Sequence, residues 1–147
     1  HAMMTIALQQ ALLAAERQEV PVGACLHFPD QDIHFSAGNQ TLADNDVTSH
    51  AEILCLKKAF KHFDNHRLPQ STLYVSLEPC VMCIGALVQA RVTKIHIAAR
   101  DTRTQSIHSH VNLYDGTHFN HRFQVSFGLY KDKSEQILAN FFHARRT

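Results

Sequence analysis

The sequence predicts an α/β layered domain built on a mixed sheet. Three observations lead there. Two strand-like runs near the start flank a short turn-forming stretch, so the sheet should open on an antiparallel hairpin. Beyond it, apolar runs of strand length alternate with helical patterns, as parallel crossovers require. No internal repeat, low-complexity tract or linker divides the 147 residues. Residues 3–147 therefore read as one domain, with His1-Ala2 ahead of Met3 resembling a remnant of tag removal.

Each element follows from its pattern. Thr5 to Glu19 carries Ile6, Leu8, Leu12 and Leu13 at helical spacing and stops before Val20-Pro21. Val22 to Phe28 and Ile33 to Ala37 read as strands joined across Pro29-Asp30-Gln31-Asp32. A polar loop, Gly38 to Thr48, follows. Ser49 and Glu52 then have capping-box spacing ahead of Ile53, Leu54, Leu56, Phe60 and Phe63. Ser71 to Leu77 is a strand, and Pro79 suits the first position of a helix running to Arg91. Lys94 to Ala99 alternates as a strand. Arg100 to Arg122 is a long, polar, His-rich stretch, and such extended loops are usually functional. Phe123 to Phe127 reads as a short strand and Lys133 to Arg146 as a closing helix.

Composition excludes several classes. Hydrophobic content of 45% and charge of 18% fit a globular chain, not a disordered one. Four cysteines do not make a secreted disulfide scaffold. No signal peptide and no apolar run of about 18 residues is present, so a cytoplasmic protein is expected. A net charge of +1 is not that of a strongly basic nucleic-acid binder. The positive charge is nonetheless grouped: Lys57, Lys58, Lys61 and Arg67; Arg100 and Arg103; Arg145 and Arg146.

The chemistry concentrates in His50-Ala51-Glu52 and Pro79-Cys80-Val81-Met82-Cys83. An H-x-E triplet is weak evidence, since random order gives roughly 0.4 of them here, but Pro-Cys-x-x-Cys arises by chance on the order of 0.003 times. His50, Cys80 and Cys83 supply an imidazole and two thiolates suited to zinc, and three protein ligands leave a fourth position open for water, as in catalytic sites. Glu52 adds an acid that need not bind the metal. The alternatives are a structural zinc clip closed by Cys25, Cys55 or another His, and a Cys80–Cys83 disulfide; neither uses Glu52. Both segments begin predicted helices, whose N-termini favour thiolates. Residues at i and i+2 share no helix face, so His50 and Glu52 converge only if the helix meets the site end-on. Zinc lowers the pKa of water to about 7. Glu52 can then take that proton and return it to a ring nitrogen and a departing amine.

H-x-E followed by P-C-x-x-C is the signature of zinc nucleobase deaminases. The chain further resembles the bacterial tRNA adenosine deaminases, which convert the wobble adenosine to inosine. The resemblance runs through Val20-Pro21-Val22-Gly23-Ala24, Asn39, His50-Ala51-Glu52, Thr72-Leu73-Tyr74-Val75, Leu77-Glu78-Pro79-Cys80-Val81-Met82-Cys83, Ala99-Arg100-Asp101, Asn120-His121-Arg122, Phe141-Phe142 and Arg145-Arg146. It implies a three-layer α/β/α sandwich of the cytidine-deaminase type, a homodimer and one zinc per subunit. It also implies that Asn39 hydrogen-bonds the target base, with Val22 and Ala51 against it. Asp101 would lie beside the substrate backbone, with Arg122, Arg145 and Arg146 as RNA contacts. The chain departs from the pattern at Gln105-Ser106-Ile107-His108, at Val47 and in lacking tryptophan. Those departures bear on substrate choice, not on the zinc or Glu52.

Three functions compete. The first is deamination of adenosine in a tRNA anticodon loop. The second keeps the chemistry on a free base or nucleoside such as guanine, cytosine or cytidine. The third is a non-catalytic zinc-stabilised RNA-binding domain, which requires a fourth protein ligand. His108, His110, His118 and His121 read as loop histidines in preference to a second metal site.

Overall fold

The structure, a computed structural model, describes residues 1–101 and 121–146. Its elements are α1 (Ala2–Glu16), β1 (Gly23–Phe28), β2 (Ile33–Gly38), α2 (Ala51–Phe63), β3 (Thr72–Leu77), α3 (Val81–Gln89), β4 (Lys94–Ala99), β5 (Gln124–Phe127) and α4 (Lys131–Arg146). The strands lie in the order β2-β1-β3-β4-β5. β1 is antiparallel to both β2 and β3, while β3, β4 and β5 run parallel. The predicted mixed sheet is therefore present, opening on its hairpin.

Alternation along the strands builds two cores, because successive side chains leave a strand on opposite faces. Leu26, Leu73, Val75, Ile95 and Ile97 pack with Leu56 of α2 and Ile84, Leu87 and Val88 of α3. Cys25 and Ala98 face the other way, onto Met4, Ala7 and Leu8 of α1, with Ile137 of α4 beside them. Helices on both faces make the α/β/α sandwich.

The first helix differs from expectation. It begins at Ala2 and ends at Glu16, with Gln18 in the left-handed region (φ 66°). Its buried stripe is Met4, Ala7, Leu8, Ala11 and Ala14, whereas Leu12 and Leu13 are exposed. Small residues face the sheet because α1 lies almost on β1: a Cβ on Gly23 would overlap the Ala7 carbonyl.

Register places the site. Gly23 pairs with Gly38, Ala24 with Val75 and Leu77 with Ala99. The start of β1 and the ends of β2, β3 and β4 thus share one end of the sheet. Val22, Asn39 and Glu78 are the residues just outside those ends of β1, β2 and β3, and Asp101 lies two residues beyond β4.

Candidate active site

Two helices begin at this end of the sheet, and each opens on a metal-type side chain. His50 is the N-cap of α2 (φ −74°, ψ 153°) and Cys80 the N-cap of α3 (φ −74°, ψ 172°). Both are extended, the ordinary backbone conformation of an N-cap residue. The capping box from Ser49 to Glu52 does not form: the cap is one residue later, and Glu52 is the second helical residue. Pro79 likewise precedes the cap instead of starting the helix, since Cys80 must stay extended to present its sulfur. Cys83, one turn into α3, completes the group.

The three donors converge. His50 Nδ1 lies 3.5 Å from Cys83 Sγ and 3.6 Å from Cys80 Sγ. All three ligand atoms lie within 4.8 Å of one another. Zn–S of about 2.3 Å and Zn–N of about 2.0–2.1 Å at tetrahedral angles require N···S edges of about 3.6 Å, so this donor set fits zinc. Cys25 and Cys55 are not in the cluster, and among the described residues no fourth ligand closes it.

Electrostatics match the geometry. A hydrogen bond from Cys83, reinforced by His50, holds the Cys80 thiol down to about 4 against the cost of burial. Cys83 moves the opposite way because its proton is held by Cys80 and burial disfavours its charge. Cys80 raises the His50 pKa in turn. Glu52 is only 3% exposed, and burial raises its carboxyl above the ordinary value, with Cys83 and His50 near enough to oppose the rise. Cys25 is pushed up to about 12 by burial alone and is an inert core thiol.

A cavity of about 400 Å³ opens on this group. His50, Glu52 and Cys80 line it together with Val22, Asn39, Ala51 and Asp101, so all four residues expected at the substrate meet here. Asn39 is 8% exposed, and its Oδ1 has no hydrogen-bond partner among the described residues. An unsatisfied buried acceptor costs about 1–3 kcal/mol, a cost that a ligand N–H would remove.

Sequence reasoning missed two acids beside the pocket. Glu78, a pocket-lining residue with a fully buried side chain, accepts two hydrogen bonds from Arg100 and one from the Asp101 amide. Glu19, 1% exposed, accepts the amides of Leu42 and Ala43. The only signal for Glu19 was a charge beside the apolar Val20-Pro21-Val22.

The arginines stand apart. Arg122 is exposed, Arg145 covers the Phe141 ring at 5.1 Å, and neither lines the cavity. Arg146 ends α4, but its side chain lies outside the described residues. His121 Nε2 donates to the Val92 carbonyl at 2.8 Å. His108, His110 and His118, with the Gln105–His108 departure, lie outside the described residues. Among the described residues no helix is long and apolar enough to cross a membrane.

Comparison with known proteins agrees with this geometry. Residues 1–146 match the family described as MafB19-like deaminase. A tRNA-specific adenosine deaminase of Haemophilus influenzae is 38% identical over 98% of this chain and 83% of its own length. A structure from a study of A-to-I editing by tRNA:A34 deaminases at the wobble position superposes with a TM-score of 0.86. It is 37% identical, covering 93% of this chain and 99% of that one. A guanine deaminase from Bacillus subtilis shares the fold at a TM-score of 0.64 and 26% identity, over 99% of this chain and 93% of its own. The chain belongs to the MafB19-like deaminases, in the company of the bacterial tRNA-specific adenosine deaminases.

Proposed function

We propose that this protein hydrolyses the wobble adenosine of a tRNA anticodon loop to inosine and ammonia. The observation that carries the reading is the placement of Glu52. Its carboxyl is buried beside three converging donors, at the wall of a cavity that also holds an unsatisfied amide oxygen. His50, Cys80 and Cys83 would hold one zinc ion per subunit. Zinc there supplies the Lewis acidity that makes water nucleophilic near neutral pH.

Glu52 handles the protons. Its carboxylate takes one from the attacking water and delivers it to N1 of the adenine ring as the C6–O bond forms. It then carries the second proton, from the new C6 hydroxyl, to the exocyclic nitrogen, which leaves as ammonia when the C6–N bond breaks and the C6 carbonyl forms. One group serves as base and acid in turn, and such transfer is worth roughly 10²–10⁴-fold. Asn39 Oδ1 accepts a hydrogen bond from the base, Val22 and Ala51 pack against it, and Asp101 meets the backbone that carries it. RNA recognition of this kind splays a loop base into a pocket, so the modest net charge is no obstacle. Arg122, Arg145 and Arg146 would contact RNA outside the pocket. A homodimer in the cytoplasm, where the tRNA is, completes the reading.

The test is inosine formation in an anticodon stem-loop with adenosine at the wobble position, run with zinc-loaded protein beside free guanine, cytosine and cytidine. Inosine in the stem-loop with no ammonia from the free bases is expected. Ammonia from guanine alone would replace tRNA with a free purine.

A further inference from the structure

The turn between α1 and β1 grips the first part of the loop that follows β2 at two points. Arg17 Nη2 donates to the Asn39 carbonyl at 3.4 Å. Glu19 accepts the Ala43 amide at 2.8 Å, the Leu42 amide at 3.1 Å and the Thr41 hydroxyl at 3.5 Å. Between these grips lie Asn39, whose side-chain oxygen is unsatisfied, and Thr41, which lines the cavity. The chain can pass so near α1 because residue 38 is glycine: a Cβ there would sit 2.6 Å from the Gln10 carbonyl.

A nearly fully buried carboxylate is costly unless its oxygens are occupied, and each Glu19 oxygen takes a backbone amide. Charge-assisted bonds of this kind are roughly twice as strong as neutral ones. Backbone bonds hold the same loop from other sides: the Asn39 amide donates to the Val22 carbonyl at 3.0 Å, the Gln40 amide to Ser49 at 2.9 Å and the Asp46 amide to Thr41 at 3.1 Å, but none of them takes the Leu42 or Ala43 amide. Leu42 is 64% exposed, so packing at that residue does little to hold the loop.

From this we infer that Glu19 is a positioning residue for base selection, holding residues 41–43 so that Asn39 meets the substrate in one orientation. The inference rests on the functional reading only in taking Asn39 as the group that meets the base. Loss of the grip lets Asn39 drift, and misplacement of about 1 Å can cost up to 10²-fold in rate. The zinc donors are the N-caps of α2 and α3 together with Cys83, and the Glu19 side chain bonds residues 41–43 instead, so zinc content should not change.

A double-mutant cycle on kcat/KM tests this, using zinc-loaded protein and the anticodon stem-loop. Glu19→Gln keeps the shape but leaves one amide without its acceptor. It should lower kcat/KM about tenfold in the Asn39 background and less than twofold in Asn39→Ala, with zinc content unchanged. An equal loss in both backgrounds, or no loss in either, overturns the inference. If Glu19→Gln does not fold, Arg17→Ala carries the same cycle and must show the same dependence on Asn39. Wild-type activity on the stem-loop tests the functional reading separately. If only free guanine is turned over, the cycle is run on guanine and judges Glu19 by the same two outcomes.

Discussion

Glu78 and Arg100 form a two-pronged ion pair at the end of the sheet, with Nη2 to Oε2 at 2.9 Å and Nε to Oε1 at 3.3 Å. The Glu78 side chain is fully buried, while Arg100 is 39% exposed and stacks on Phe127 at 4.3 Å. The same carboxylate accepts the Asp101 amide, so the pair ties the ends of β3 and β4 to a pocket residue.

Arg100→Ala takes the countercharge and two hydrogen bonds from the buried Glu78 carboxylate and should destabilise the fold by about 3 kcal/mol. Urea denaturation followed by circular dichroism checks this. A change under 1 kcal/mol would mean that Glu78 is held well enough without Arg100.

Metal removal should separate the donors from the acid. Chelation, His50→Ala and Cys83→Ala should each abolish zinc binding and lower the melting temperature. With zinc at 1,000 times its Kd the loss is about 4 kcal/mol. Zinc analysis beside thermal denaturation reads both. A Cys83→Ala protein that keeps stoichiometric zinc would remove Cys83 from the ligand set.

Glu52→Gln should keep zinc and lose turnover by roughly 10²–10⁴-fold. Full activity in the zinc-loaded variant would refute the proton-carrying role.

Burial raises the Glu52 pKa, so the folded state holds that proton more tightly than the unfolded chain does. The stabilising term is therefore complete below the ordinary value of 4.5 and lost as pH rises through the higher folded value. In metal-free protein, Glu52→Gln should gain more stability over wild type near pH 8 than near pH 5. Parallel melting curves at the two pH values would reveal the wrong sign at once.

Cysteine reactivity offers a check independent of activity. With Cys80 held down to about 4, metal-free protein carries a thiolate there across the neutral range, whereas Cys25 is pushed up to about 12. Burial pushes Cys55 up as well. Iodoacetamide at about pH 6 should modify Cys80 first, and zinc should protect it. Peptide mapping by mass spectrometry decides; modification that begins only near pH 8.5 would indicate an ordinary thiol.

How far local pattern reaches is visible in the elements themselves. β4 has the predicted bounds, Lys94–Ala99, because alternating Ile95 and Ile97 state the period directly. α1 shows the failure. Its spacing picked Leu12 and Leu13 as buried, yet the sheet-facing stripe is rich in alanine because Gly23 lets the helix settle onto β1. The helix starts at the site failed for a related reason. Ser49 and Pro79 are good local signals, but His50 and Cys80 stay extended to reach each other.

From sequence alone came the donor set, the acid beside it and the order of strands and helices, since these depend on residue identity, spacing and period. The tertiary structure alone decided the rest: the 3.5 Å approach of His50 to Cys83, the unsatisfied oxygen of Asn39, and the burial of Glu19 and Glu78 against backbone amides. Those contacts join residues 23 to 33 positions apart. Parallel and antiparallel pairing must bring their ends to one edge of the sheet before such contacts exist, and no local pattern encodes that meeting.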